Sequence, residues 1–325
     1  MNSWQDELKV DPIPNLMSSG NEAITYFTLR DLLEGRVESI EILWELPEVK
    51  KILKKQKSDG SWKYTSVGKI PHVDYTQYQT YLILSELVEK YGFNRKHKSI
   101  QNAAEYLFQF QTKEGDFRGI YSNQYSPTYS PAIMELLIKA GYVNDPHILM
   151  GFKWLLSIRQ EDGGWALPFR TVGKNLGDAY KTFEVIKPDK SKPFSHVVTG
   201  MVLRAFAAHP QYRKSHEAKK AGALLISRFF MNDKYPDRKS KDFWERVTFP
   251  FLYTNIISAL DSLYYLGFNK NNPEIIMALE FLRQKQNEAG DFDLKITRGS
   301  DKDLNYWISI AICRLFKRYL TPSAE

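Results

Sequence analysis

Proton transfer is the chemistry for which this chain carries candidate side chains, and they are few. Asp74 lies two residues after His72 and directly before a helix-periodic run, so one short segment holds a carboxyl group and an imidazole. Capping of the helix that follows is the competing role for that aspartate. A second imidazole, His196, opens the run Ser195-His196-Val197-Val198-Thr199, where it is either a base or donor or a packed structural histidine. Metal chemistry finds no ligand set. The one cysteine, Cys313, sits among aliphatic residues from Ile308 onward with no aspartate two residues before it, and no H-x-x-x-H or clustered Cys/His pattern occurs. A phosphate-cradling G-x-x-x-x-G-K and a G-x-S-x-G nucleophile turn are also missing, so neither a metal nor an organic cofactor is expected.

The elements that must position these groups repeat along the chain. Residues 103–117 (AAEYLFQFQTKEGDF) align without gaps on 278–292 (ALEFLRQKQNEAGDF), with eight of fifteen positions identical. Shorter copies run from Gln56 to Trp62 and from Gln160 to Trp165, and Phe243-Trp244 marks a degraded one. Each copy is a helix end, a glutamine, a glycine turn and an aromatic. Trp62 to Phe117 is 55 residues, and Phe117 to Trp165 and Trp244 to Phe292 are 48 each, the length of two helices and two loops. Helices are expected over 75–91, 130–140, 196–208, 253–266 and 303–319 after the aromatics, more apolar than their partners and so inner, with the glutamine-bearing helices outer. Glycine supplies the tight turn, the glutamine is expected to bond backbone groups near helix ends, and the aromatic to cover the gap between hairpins.

These copies resemble the QW repeat of squalene-hopene cyclases and related protein prenyltransferases. The resemblance spans most of the chain. It implies an all-α fold, an α/α toroid of the α6/α6-barrel type with about five to six helical hairpins. That fold would occupy residues 1–325 as one domain, with an N-terminal extension over 1–20, a long basic loop over 166–195 and a basic insertion over 231–246. It does not fix a reaction. The D-x-D-D-T acid motif of such cyclases falls on Ser195 to Thr199, where only the threonine remains, so alkene protonation by the usual route is not expected. The Asp, Cys and His zinc set of the prenyltransferases and the aspartate-rich magnesium motif of ionisation-dependent synthases are not reproduced either.

In such a toroid the loops after the aromatics and the N-termini of the inner helices gather at one face. Those N-termini carry partial positive charge and open N–H groups. Placed there are His72, Asp74, Tyr75 and Tyr78; Tyr125, Thr128 and Tyr129; His196 and Thr199; Tyr253 and Asn255; and Asp303, Asn305, Tyr306 and Trp307, with Arg170 on the long loop. Aromatic walls with sparse polar groups suit a hydrophobic, isoprenoid-type small molecule, with Asp74 and His196 the first candidates for an acid-base or carbocation-type rearrangement. Two other readings stay open. One is a non-catalytic repeat scaffold that binds protein, and the other a carbohydrate-active α/α toroid pairing Asp74 with Asp303.

Composition fits a folded helical protein, with 43% apolar and 14% aromatic residues in 325. The net charge of +7 gathers partly between His209 and Arg246, where ten Lys or Arg face five Asp or Glu. Elsewhere the signs alternate and no nucleic-acid motif accompanies them, so nucleic acid is not expected as a partner. The basic stretches fit peripheral contact with an anionic membrane. The N-terminus has no leader pattern and no apolar run reaches spanning length, so a cytoplasmic chain is expected.

Overall fold

A computed structural model of the chain describes residues 4–65, 73–297 and 301–321. The fold is all-α. In chain order the helices are α1 Ile13–Met17, α2 Glu22–Phe27, α3 Pro47–Leu53, α4 Tyr75–Tyr91, α5 Lys98–Phe108, α6 Tyr129–Leu137, α7 Pro146–Ser157, α8 Pro168–Thr171, α9 Leu176–Tyr180, α10 His196–Ala208, α11 His216–Ile226, α12 Ile256–Tyr265, α13 Pro273–Gln284 and α14 Leu304–Leu320. Two short strands, β1 Arg246–Val247 and β2 Lys295–Ile296, pair in parallel. The chain divides into two compact units, one of residues 40–221 and one of residues 1–39 with 222–325.

Helix starts follow their caps. Asp74 accepts the Gln77 N–H at 2.7 Å before α4, Asp145 precedes Pro146 at the first position of α7, and Ser195 accepts the Val198 N–H before α10. Asn255 and Ser258 cap each other's backbone in a full capping box, so α12 starts at Ile256, three residues later than the apolar pattern indicated. Gly92, at φ 62°, ends α4 in the left-handed conformation. In the 40–221 unit, α6 packs on α4, α7 and α10. Helix α10 is buried at every position from His196 to Ala207, whereas α5 and α7 bury one stripe, which matches the contrast between continuously apolar and amphipathic helices in the sequence.

The repeated turns share one hydrogen-bond scheme. Gln56 Nε2 donates to Gly60 O at 2.9 Å and to Ser99 O, in the first turn of α5, at 2.8 Å. Gln111 Nε2 donates to Gly115 O at 2.8 Å and to His147 O, in the first turn of α7, at 2.7 Å. Each glutamine thus ties its own turn to the next glutamine-bearing helix. In the other unit Gln286 Nε2 donates to Gly290 O and Val10 O while its Oε1 accepts the Lys9 and Val10 N–H groups, which docks the N-terminal segment on this turn. Gln160 departs from the scheme, reaching Asp189 O and Lys192 O of the long loop instead. The aromatic that follows is hooked at its backbone: Trp62, Phe117 and Trp165 donate their N–H to the hydroxyls of Thr80, Ser130 and Thr199, on α4, α6 and α10. The indoles of Trp62 and Trp165 also donate back to Ile52 O and Leu155 O, ten residues earlier in each case.

Two of the turn glycines are required twice over. Gly60 has φ +88°, and a Cβ there would lie 2.2 Å from Asn102 O; Gly115 has φ +110°, with Met150 O at 2.5 Å. Gly173, at φ +78° in the long loop, has nothing within 4 Å of such an atom. Gly60→Ala is therefore expected to cost about 3 kcal/mol or more, combining backbone strain with a clash against main chain, while Gly173→Ala costs about 1 kcal/mol of strain alone. Urea unfolding of the two variants checks the difference.

Candidate functional site

The expected site residues fall into the two units. In the 40–221 unit, Tyr129 at the start of α6 is the hub of an aromatic cluster. Its ring lies edge-on to Tyr78 at 5.7 Å, Tyr81 at 5.9 Å and Tyr121 at 5.3 Å, and Tyr121 in turn meets Phe169 of α8 at 6.3 Å. Helical spacing puts Tyr78 and Tyr81 three residues apart on one side of α4. Tyr75 packs on Tyr64 at 4.7 Å. Tyr180, the last residue of α9, comes close to Tyr121 and Tyr75, and burial together with those two phenols pushes its own hydroxyl pKa well above the ordinary value. Tyr75, Tyr78, Tyr121, Tyr129 and Tyr180 are all half-buried, neither core nor surface.

Asp74 stands at the foot of this cluster. Its carboxylate caps α4 and its N–H donates to Gly119 O at 2.9 Å. That second bond has a consequence for Gln77, the third residue of α4. A glutamine there ordinarily reaches back to the capping residue's N–H, but Gly119 already holds it. The Gln77 side chain is fully buried, and neither its Nε2 nor its Oε1 has a hydrogen-bond partner among the described residues. Gly119 makes room for it, since a Cβ at that glycine would lie 2.4 Å from Gln77 Oε1. Leaving such a buried carboxamide unpaired costs on the order of 1–3 kcal/mol for each unsatisfied group.

His196 is the first residue of α10, 3% exposed. Thr199 is wholly buried, and its hydroxyl both accepts the Trp165 N–H at 2.9 Å and lies 3.2 Å from Trp165 O. Arg170 extends from α8 over Phe169 and donates to Lys174 O. His72 lies outside the described residues. In the other unit, Tyr253 is covered by the Arg238 guanidinium at 3.2 Å, and Asn255 caps α12. Asp303 accepts a 2.8 Å hydrogen bond from Asn21 Nδ2, and Trp307 stacks on Phe249 and meets Phe27 edge-on, 1% exposed.

Several members of the site were not singled out in the sequence. Tyr121 lies in an irregular segment and Tyr180 in a helix of five residues, where no periodicity marks either. The buried ion pair between Glu135 of α6 and Arg204 of α10, 2.8 Å apart and each under 10% exposed, did leave a signal: each is a lone charge of opposite sign inside an apolar helix. Burial works against the charge on Arg204, yet the nearby carboxylate of Glu135 more than offsets it and raises the pKa. Lys139 joins the network, 2.7 Å from Glu135 and 2.6 Å from Glu89 of α4, so charges bind together the three helices beneath the tyrosine cluster.

No protein-family model matches this chain, and no curated protein matches it. Among solved structures, a variant of the type II terpene cyclase MstE from Scytonema, in complex with geranylgeranyl dihydroxybenzoate, superposes with a TM-score of 0.44 at 12% identity, covering 94% of this chain and 98% of that one. A protein from Actinoplanes superposes with a TM-score of 0.43 at 12% identity, covering 87% and 88%. Superpositions this loose transfer no residue role.

The long loop that carries α8 and α9 is latched beside the site. Lys187 Nζ lies 2.8 Å from Glu114 Oε2 and also bonds the Tyr125 hydroxyl, which itself bonds Glu114. The Lys187 and Tyr125 hydrogen bonds hold the Glu114 carboxyl at about 2, against an ordinary 4.5. A carboxyl lowered on folding adds stability above its unfolded value, and that contribution is lost as the pH falls toward the folded one. Lys187→Met is thus expected to speed proteolysis of the 181–187 segment near neutral pH, with the difference from the parent chain fading between pH 4.5 and pH 2. Limited digestion with an acid-tolerant protease across that range reads it directly.

Proposed function

We propose that this chain is a terpenoid-cyclase-like helical-repeat protein that binds a hydrophobic, isoprenoid-type small molecule at the tyrosine cluster where α4 and α6 begin. One observation carries the reading: five tyrosines from α4, α6, α9 and the turn after Phe117 converge there half-buried, beside a buried carboxamide with no partner among the described residues. Core packing alone would bury aliphatic groups at lower cost, because each phenol must keep its hydroxyl satisfied. Tyrosine walls offer apolar ring faces to a hydrocarbon chain, quadrupoles to a developing cation and hydroxyls to a polar end group. The recurrent glutamine turns support the kinship that the sequence motif implied, since their donor pairs and hooked aromatics recur turn after turn.

Asp74 and His196 are the groups in this reading that would move a proton, Asp74 from the first turn beneath Tyr78 and His196 from the start of α10. Asn caps a helix as well as Asp does, so Asp74→Asn separates fold from chemistry. It is expected to leave the unfolding midpoint unchanged and to abolish any conversion of a polyprenyl substrate analysed by mass spectrometry; undiminished conversion would exclude Asp74 as the acid.

Binding itself is tested with farnesol and geranylgeraniol by native mass spectrometry. The parent chain is expected to retain either alcohol, and Tyr129→Ala to weaken retention about tenfold by removing the ring on which Tyr78, Tyr81 and Tyr121 converge. Met277→Ala, on the exposed side of α13, leaves it unchanged. No retention by the parent chain, or equal retention by Tyr129→Ala, would count against the site.

A further inference from the structure

Phe183 is 93% exposed, far beyond the other large apolar side chains on the surface. Leaving a phenyl ring in water forgoes the favourable free energy of burying it. A loose loop would explain such exposure, but the backbone here is gripped. Gln124, 1% exposed, donates to Thr182 O and Glu184 O at 3.0 Å each and accepts the Ile186 N–H at 2.9 Å, so its whole carboxamide is engaged in holding this turn. Asn123 donates to Phe183 O at 2.5 Å. Four residues on, Lys187 is latched to Glu114 and Tyr125, and before the turn the half-buried Tyr180 lies close enough to Tyr75 and Tyr121 for their phenols to interact. The chain fixes both flanks of Phe183 and turns its ring outward.

The segment that carries the ring is net cationic. Between residues 166 and 195, six Lys or Arg face three Asp or Glu, and Lys174, Lys181, Lys190 and Lys192 are exposed. Val172 adds a second exposed apolar side chain to the segment. A protein interface usually centres its aromatic anchor in a broader apolar patch, whereas Phe183 is flanked in sequence by Thr182 and Glu184, with lysines beyond. One aromatic side chain projecting from a pinned, lysine-rich loop fits the interface of an anionic bilayer, where the ring sits at headgroup depth and nearby lysines add electrostatic attraction. No helix among the described residues is long and apolar enough to cross a membrane, so the contact would be peripheral.

We propose that the turn around Phe183, pinned by Asn123 and Gln124, is a membrane-docking loop that inserts this ring into anionic lipid surfaces. The inference stands apart from ligand binding, and Tyr129→Ala is expected to dock like the parent chain.

Flotation with vesicles of phosphatidylcholine alone and of phosphatidylcholine with phosphatidylglycerol at 3:1 tests it. The parent chain is expected to float with the anionic vesicles and not with the neutral ones, and Phe183→Ser to lower the partition coefficient about tenfold with no change in unfolding midpoint, since the ring is almost wholly solvent-exposed. Phe183→Cys gives a second readout. The native thiol of Cys313 is fully buried, so an environment-sensitive fluorophore attaches at position 183, and its emission should rise on adding anionic vesicles. Absence of flotation, equal flotation of Phe183→Ser, equal affinity for neutral vesicles, or Phe183-dependent self-association without vesicle binding would each overturn the proposal. The last would assign the ring to a protein partner.

Discussion

A glutamine carboxamide has two N–H donors, and in the turns after α3, α5 and α13 one goes to the turn's own glycine carbonyl and the other to a backbone carbonyl far away in the chain. The donors are what recurs. Among the described residues Oε1 of Gln111 accepts nothing, while that of Gln286 accepts two N–H groups from the N-terminal segment. Each such bond has a modest net worth of about 1 kcal/mol, but it fixes where the next element starts. The glycine beside it can then back directly onto main chain, as Gly60 does on Asn102 and Gly115 on Met150.

Placement of the candidate site follows from that constraint. Once a turn is fixed, the aromatic after it hooks its N–H on a hydroxyl of Thr80, Ser130 or Thr199, which brings the beginnings of α4, α6 and α10 to set positions against the turns. The hydroxyls nearest these helix starts are thereby engaged in structure. Near those starts stand the half-buried phenols of Tyr75, Tyr78 and Tyr129 and the buried carboxamide of Gln77, whose usual capping partner has been taken by Gly119. Below them, the Glu135–Arg204 pair crosses from α6 to α10. Removing either partner alone would leave a buried charge, so the pair resists any sliding of these two helices past one another.

The sequence alone carried the helices wherever capping was local. Residues 75–91 and 196–208 are helical as the pattern indicates because Asp74, Gly92 and Ser195 mark their ends within a residue or two of the apolar run. The same holds for the structural role of the repeated glutamines, read from their recurrence beside glycine. Where the pattern and the structure differ, a local competitor explains it: Asn255 and Ser258 move the start of α12, and Pro168 and Asn175 nucleate two short helices, α8 and α9, inside a stretch read as loop.

Side-chain roles were another matter, because their partners lie tens to hundreds of residues away. Thr199 has the composition of a ligand contact and is engaged by Trp165; Trp307, read as a cavity wall, stacks in the core on Phe249; Asp303 is held by Asn21 across most of the chain length. Nothing in the order of residues distinguishes Phe183 from a core phenylalanine, or Gln77 from a capping glutamine. Sequence fixes what a segment can do by itself, its helical periodicity and its caps, through bonds that close within four residues. Only the folded chain decides which polar groups find partners and which rings meet water, since those outcomes depend on distances that the order of residues does not contain.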